Sequence, residues 1–194
     1  MTQLQLAYLV AKTQRGQKEI VGKINNPKIV EYHQACSLQA NNDEVAWCSS
    51  FVNWCYVIAG ILMNPASMIY ALEKHKYDKN DIVQFHKSAI EINKILKFQL
   101  PAVLEEKSST NFMVKLGTRS AAARSWLGFG VKTTSPNPGD LVCYERGNDG
   151  WSGHIGFFES SAWTYVNTLG GNQMNQVCCA PYSKYKVLGY MTEE

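Results

Sequence analysis

The sequence predicts an α+β protein in which helices pack on an antiparallel β-sheet. Apolar residues in the first half of the chain recur at helical spacing, whereas from Pro138 onward they alternate with a period of two. Clusters of glycine and asparagine at 148–150 and 170–172 supply turns between the alternating segments. Helices that precede a run of strands are typical of the α+β class. The predicted strands are residues 140–145, 154–159, 164–169 and 186–191.

Three helices are predicted in the first third of the chain. Residues 4–23 carry apolar positions partly at helical spacing, and a second apolar face runs over residues 27–36. Residues 46–60 are almost continuously apolar, with Asp43 and Glu44 before them and a glycine at their end. This length fits a central core helix better than a strand.

The segment 63–117 differs from the rest of the chain in composition. It is rich in Lys, Glu, Asn and Ile, and its apolar residues form an amphipathic stripe over residues 81–97. A further short helix is predicted over residues 118–127. We expect a single domain over residues 1–194 with a helical insertion at about 63–117. That insertion is open to three interpretations: a packed decoration, a lid over a cleft, or a docking surface for a partner protein.

The composition excludes several classes of protein. Hydrophobic residues make up 45% and charged residues 18% of the chain, so a core can form and disorder of the whole chain is excluded. The formal charge of +3 is too small to indicate nucleic-acid binding. No apolar run approaches the roughly 18 residues of a membrane span, and no signal peptide is recognisable. We therefore expect synthesis in the cytoplasm, no stable membrane insertion and no nucleic-acid partner.

The six cysteines do not form a metal-binding or redox motif. No CxxC pair is present, so neither a zinc ribbon nor a thioredoxin-like site is predicted, and we expect no metal and no cofactor. Cys48 and Cys55 would lie about 10 Å apart along a helix axis, which is too far for a disulfide. Most cysteines are expected to be small buried hydrophobic residues. The six are Cys36, Cys48, Cys55, Cys143, Cys178 and Cys179.

Cys48 is a candidate nucleophile. It falls in the opening turn of the predicted core helix, where unpaired N–H groups and the helix dipole stabilise a thiolate. The same N–H groups can hold a developing oxyanion. Cys55, in the middle of that helix, has no such advantage.

His154 is the candidate base among the four histidines. It opens an apolar strand between two glycines, which permit another backbone or a substrate to approach closely, although a structural role stays open. Asn172, after the next strand, is a candidate to orient the imidazole as Cys-His-Asn sites require, or it is only a turn residue. Glu159 is the competing acceptor, but it lies about 16 Å from His154 along the same strand.

Three motifs surround these candidates: a Trp-Cys helix start within 43–54, a Gly-His strand within 153–157 and a Gly-Gly-Asn-Gln turn within 169–173. Further motifs lie at 19–22, 25–32, 120–128 and 138–142. Together they resemble the CHAP-type and NlpC-type cysteine peptidase and amidase superfamily, and in particular a small branch encoded by phages and bacteria. The motifs follow the family's order and span about two thirds of the chain.

The resemblance implies a papain-like α+β fold with Cys48 as nucleophile, His154 as base and Asn172 as the orienting group. It also implies an amide bond of bacterial peptidoglycan as the substrate. Many CHAP members have a glutamate two positions before the equivalent of Asn172, but this chain has Gly170 there. A glutamate-assisted mechanism is therefore not expected.

Four further residues are candidate substrate contacts. Stem peptides of peptidoglycan carry carboxylates and the glycan presents apolar sugar faces, so cationic and aromatic side chains suit such a substrate. The alternatives are that Trp47 only packs in the core and that Arg124 only caps a helix or pairs with another side chain. The four residues are Trp47, Trp151, Arg124 and Gln173.

The expected activity is hydrolysis of a stem-peptide amide by acyl transfer through Cys48. A phage lysin, or an antibacterial effector delivered by a secretion machine and neutralised by an immunity protein, would reach the wall without a signal peptide. Two other classes stay open: a non-catalytic module that binds the cell wall or a protein, and a deamidase or transglutaminase-like toxin acting on a protein. The bond is open between the N-acetylmuramoyl–L-alanine amide, the D-glutamyl–diamino acid bond and the cross-bridge.

Overall fold

A computed structural model describes residues 1–99 and 114–193 and confirms the α+β class. The helices in these residues are α1 (Gln3–Thr13), α2 (Pro27–Gln34), α3 (Cys48–Met63), α4 (Pro65–Lys74) and α5 (Lys79–Gln99). The strands are β1 (Val131–Thr133), β2 (Leu141–Glu145), β3 (Gly153–Ser161), β4 (Tyr165–Gln173), β5 (Gln176–Ser183) and β6 (Val187–Thr192). They form one antiparallel sheet in the order β1-β6-β2-β3-β4-β5.

The central helix α3 organises the core. Every residue from Cys48 to Ile61 is buried, and α3 contacts the four other described helices as well as β3 and β4. This confirms the central core helix predicted over residues 46–60, with slightly later bounds. Trp47 precedes the helix and provides no side-chain cap, so the first N–H groups of α3 are open to other partners.

The first helix is shorter than the predicted segment 4–23. α1 ends at Thr13, and Gly16 has a φ of +89°, which is incompatible with a helix. The chain then forms a bridge between Lys18 and Gln176 of β5. Pairing with the edge of the sheet therefore replaces the last turns that the apolar pattern predicted.

The segment predicted as an insertion contributes α4 and α5 to the helical layer. The amphipathic stripe over 81–97 is confirmed, because its apolar residues are buried among the other helices. The carboxylate of Glu31 in α2 accepts hydrogen bonds from Ser88 of α5 at 2.7 Å and from Trp54 of α3 at 2.9 Å. α5 is therefore joined to the core by polar as well as apolar contacts. Residues 100–113 of the predicted insertion lie outside the described residues.

The short helix predicted over 118–127 is a 3-10 helix, Ala123–Gly128. Its residue Trp126 is fully buried and donates a hydrogen bond of 2.9 Å to the hydroxyl of Ser49 in α3. The prediction placed the start of this helix too early, because the preceding residues have no regular structure.

Four of the six strands correspond to predicted strands, and β1 and β5 were missed. β5 contains Pro181, which argues against a strand in sequence-based reasoning. Proline is tolerated here because β5 lies at the edge of the sheet, where one side of the strand needs no donor. β1 has only three residues, too few for an alternating pattern to be recognised.

The turn predicted at 170–172 is instead part of β4. The pairing of β4 with β5 changes register between Gly170 and Gln173, so the strand is irregular there. The turn itself follows at Met174 and Asn175, whose φ angles of 53° and 59° are typical of a two-residue hairpin turn. The irregular end of β4 has consequences for the site described below.

The sheet carries a separate core on each face. The face toward the helices includes Ile155 of β3 and Leu169 of β4. The opposite face holds a smaller core, against which Tyr182 of β5 packs. The buried residues of this smaller core are Val142, Tyr144, Phe158 and Val166.

Candidate active site

Cys48 occupies the first position of α3 and is only 4% exposed. Burial raises the pKa of the Cys48 thiol. The backbone N–H groups of Ile155, Ser49 and Cys48 itself act in the opposite direction by stabilising the thiolate, as does the positive charge of Arg146. Cys48 is thus a buried thiol beside groups that favour its ionised form.

The irregular end of β4 lets the start of α3 approach β3. The ladder between β3 and β4 begins at Phe157 and does not extend back to Ile155. A Cβ atom on Gly171 would lie 2.5 Å from the ring of Trp47 and 2.7 Å from the Cβ of Phe51, so only glycine fits against the first turn of α3. The glycine therefore helps to position Cys48 next to Ile155.

His154 lies directly before Ile155 in β3 and is 2% exposed. Its ring is stacked on Tyr182 with a centroid distance of 4.9 Å, and the centroid of Tyr144 is 6.2 Å away. Tyr182 is itself partly exposed, so it separates the imidazole from solvent. The aromatic rings fix the plane of the imidazole.

The tautomer of His154 follows from its hydrogen bond with Gln173. The Nε2 atom of the imidazole is 2.9 Å from Oε1 of Gln173. The amide nitrogen of Gln173 donates to the carbonyl oxygens of Thr168, at 3.1 Å, and Cys178, so Oε1 must be the acceptor toward the ring. Nε2 therefore carries the hydrogen and Nδ1 keeps a lone pair. Nδ1 is buried and has no hydrogen-bond partner among the residues that the structure describes.

Burial disfavours the charged form of both the Cys48 thiol and the His154 imidazole. Burial lowers the pKa of His154 to about 4, the charge of Arg146 acts in the same direction, and the bond from Gln173 opposes both. Cys48 and His154 both belong to the described part of the chain, and no hydrogen bond joins them there. Nδ1 of the imidazole is thus a buried acceptor that has no donor among the described residues.

Gln173, and not Asn172, contacts the imidazole. Successive strand residues direct their side chains to opposite faces, so only one of the two can face His154. Asn172 has a left-handed backbone with a φ of 57° in the irregular part of β4. The competing acceptor Glu159 is bonded to Arg15 near the other end of β3, far from the imidazole. The structure thus shows Gln173 making the hydrogen bond to the imidazole that the sequence analysis expects of Asn172.

The predicted substrate contacts have different surroundings. Trp47 is fully buried and donates to a carboxylate oxygen of Glu19 at 2.8 Å, so it has no free surface for a substrate. Gln173 is 2% exposed and is bonded to His154.

The other two candidates belong to the loop between β2 and β3 or contact it. Arg124 donates to the carbonyl oxygen of Ser152 and so supports this loop. Trp151 lies on the same loop and is 74% exposed, so it remains available to a ligand.

Sequence reasoning missed two residues beside the site, Arg146 and Tyr182. Arg146 acts electrostatically on both Cys48 and His154. It follows the last residue of β2, and a hairpin register between β2 and β3 would have placed it two residues from the partner of His154. Tyr182 lies on β5, which was not predicted, so the sequence gave no signal for it.

Two further features concern metals and membranes. In residues 1–99 and 114–193, no cluster of three or more His, Cys, Asp or Glu side chains has the arrangement of a metal site. None of the described helices combines the length and the apolar character needed to cross a bilayer.

The structure is that of an α+β protein with a buried thiol, Cys48, at the start of its central helix and a buried His154–Gln173 pair on two adjacent strands. Comparison with known proteins gave no matching family model, no matching curated protein and no matching solved structure. The family relationship therefore rests on the sequence motifs and remains a prediction.

Proposed function

We propose that the chain is a papain-like cysteine amidase or endopeptidase that cleaves an amide bond in the stem peptide of bacterial peptidoglycan. The observation that carries the proposal is the placement of Cys48 and His154 around Ile155. The thiol lies at a helix start with N–H donors, and the Gln173 bond leaves Nδ1 of the imidazole free to accept a proton. The peptidoglycan substrate is supported by the motifs around these residues.

The proposed mechanism begins once a side-chain movement brings the Cys48 thiol within hydrogen-bond distance of Nδ1 of His154, to which the thiol gives its proton. The thiolate attacks the amide carbonyl, and N–H groups at the start of α3 hold the oxyanion. His154 then gives its proton to the leaving amine, which departs and leaves a thioester on Cys48. Water, deprotonated by His154, hydrolyses the thioester and restores the thiol. Gln173 accepts the Nε2 hydrogen throughout and stabilises the transient imidazolium.

The burial of the site adds one requirement. Cys48 and His154 are 4% and 2% exposed, so a substrate reaches them only after the covering residues move. The ring of Tyr182, which is stacked on His154 and partly exposed, covers one face of the imidazole. A side-chain rotation there would admit a peptide without unfolding the sheet.

The proposal includes a biological setting. A phage lysin and an antibacterial effector both act on the wall after lysis or delivery. An effector would have an immunity protein and a secretion machine as partners. The packed helices α4 and α5 offer surface for such a partner, since α4 and α5 carry exposed apolar residues, Tyr70 and Val83 among them.

The test is digestion of purified peptidoglycan, with the products identified by mass spectrometry. Wild type is compared with Cys48→Ala, His154→Ala and Cys55→Ala, the last of which removes a buried thiol from the same helix. We expect fragments from wild type and Cys55→Ala, and a loss of at least about 1,000-fold in rate for the other two variants. The fragment masses identify the bond. Intact peptidoglycan from folded, reduced wild type would contradict the proposal.

One alternative is favoured by a specific observation. The nearly complete burial of Cys48 and His154 fits a binding module that keeps the Trp-Cys helix for packing. Alkylation of the folded protein with iodoacetamide distinguishes the two functions. A binding module would leave Cys48 as unreactive as Cys55, whereas a transiently opening active site would modify Cys48 first.

A further inference from the structure

Arg146 differs from the other arginines of the chain in its lack of a partner. Within the part of the chain that the structure describes, its guanidinium forms neither an ion pair nor a side-chain hydrogen bond. The other three side chains are bonded: Arg15 to Glu159, Arg119 to His75, and Arg124 to the carbonyl of Ser152. An arginine that is exposed and unpaired next to a candidate site is free to bind a ligand.

The hairpin register places Arg146 beside the imidazole. Tyr144 of β2 pairs with His154 of β3, and the pairing continues to the hydrogen bond between the N–H of Arg146 and the carbonyl of Ser152 at 3.3 Å. Side chains two residues apart on a strand share a face, so Arg146 lies on the side of the sheet that carries Tyr144 and His154. The exposed residue Trp151 is on the same hairpin loop.

The charge of Arg146 reaches the reacting groups. It favours the thiolate of Cys48 but opposes protonation of His154. The reaction needs His154 to carry a proton when the amine leaves, and an unpaired cation makes that step less favourable. An anion bound to Arg146 would remove the obstacle, and the structure provides none from the described residues.

We propose that Arg146 binds a carboxylate of the substrate, so that the preferred substrates are acidic stem peptides with a free carboxylate close to the scissile amide. This inference rests on the proposed function. The planar guanidinium forms two parallel hydrogen bonds with a carboxylate, which gives geometric as well as electrostatic selectivity. Binding would also offset the positive charge beside His154 and so favour the protonated imidazole during catalysis.

Binding to a variant that cannot turn over tests the inference independently of catalysis. Cys48→Ala is titrated by calorimetry with synthetic stem peptides whose carboxylates are free, and with the same peptides amidated at one carboxylate at a time. We expect amidation of one particular carboxylate to weaken binding by about 10-fold to 100-fold. Adding Arg146→Gln should abolish this preference, and Arg146→Lys should keep part of it. Lys184→Gln, which removes an exposed positive charge elsewhere, should leave the preference intact.

Several outcomes would overturn the inference. These are equal binding of free and amidated peptides, no binding of either form, or a preference that survives Arg146→Gln. Hydrolysis of the same peptides by the protein with Cys48 intact separates the two proposals. Hydrolysis without carboxylate preference would contradict the role of Arg146 alone, whereas the preference without any hydrolysis would contradict the enzymatic function alone.

Discussion

Cys48 and Cys55 lie on the same helix, two turns apart, and both are buried. Burial raises the pKa of both thiols, and for Cys55 the one opposing contribution from the described residues is its own backbone N–H. Cys48 has in addition the N–H groups of Ile155 and Ser49 and the charge of Arg146. Burial therefore does not distinguish the two thiols, whereas the N–H donors at the helix start do.

The contrast extends to the neighbours of the two turns. The first turn of α3 contacts polar groups, among them His33, whose Nδ1 is 3.1 Å from the hydroxyl of Ser50. Two turns later the helix is embedded among apolar side chains, with Tyr56 and Val57 beside Cys55. One helix thus combines a polar start, where chemistry is possible, with an apolar body that anchors it.

The largest effect on stability that we predict is a loss in acid, caused by two buried histidines beside the first turn of α3. The pKa of His154 is lowered from 6.5 to about 4, and burial also lowers that of His33. Between pH 6.5 and 4 the unfolded chain therefore binds more protons than the folded one, so the free energy of unfolding falls as the pH falls through this range. At 1.36 kcal/mol per pH unit, His154 alone contributes a loss of roughly 3 kcal/mol. Urea unfolding at a series of pH values measures it.

The matched variants are His154→Gln, which cannot titrate, and His86→Gln, which changes an exposed histidine of α5. We expect the first to flatten the pH dependence, with a remainder from His33, and the second to leave it as in wild type. An unchanged pH dependence in His154→Gln would show that the pKa of His154 is the same in the folded and the unfolded protein.

A smaller effect is predicted for the group that orients His154. Gln173→Met keeps the length of the side chain but removes the acceptor for Nε2–H, so the tautomer and the orientation of the imidazole are no longer fixed. We expect kcat for peptidoglycan fragments to fall by about 10-fold to 100-fold, as the loss of a buried hydrogen bond implies. The pKa of His154 should fall further, because the Gln173 bond raises it.

Asn172→Gly is the control for the neighbouring position. Glycine adopts the left-handed backbone that Asn172 has, so this variant removes the side chain without adding strain. Its kcat should stay within about 3-fold of wild type. A larger loss for Asn172→Gly than for Gln173→Met would return the orienting role to Asn172.

Much of the fold was predictable because the patterns were long and local. The continuous apolar run predicted α3, and the stripe over 81–97 predicted α5. The missed strand β5 contains Pro181, and its place at the sheet edge is a tertiary property that local sequence does not encode. The first helix was predicted too long for the same reason, because Lys18 pairs with a strand that is distant in sequence.

Candidate site residues could be predicted where the residue type and its immediate sequence neighbours indicate a chemical role. The helix start pointed to Cys48 and the flanking glycines to His154; the structure shows both side chains buried, and their catalytic roles stay predictions. The choice between Asn172 and Gln173 depends on an irregularity in β4 that decides which of two adjacent side chains faces the ring. Tyr182 comes from a strand brought in by the sheet, so no local pattern could have indicated it.

The smallest effect we predict lies in the structural part of the molecule, at Ser88 of α5. Its hydroxyl donates to the carboxylate of Glu31, which also accepts from Trp54 in the body of α3. Ser88→Ala leaves that carboxylate with one donor fewer in a buried place, so the free energy of unfolding should fall by about 1 kcal/mol. Lys87→Ala, at an exposed neighbouring position, should change it by less than about 0.5 kcal/mol.

Because Ser88 is distant from the first turn of α3, the kcat of Ser88→Ala should stay at the wild-type value. A fall in kcat for Ser88→Ala at a temperature where the protein is fully folded would mean that α5 is coupled to the site, and the division of α3 into a chemical start and a structural body would then be too simple.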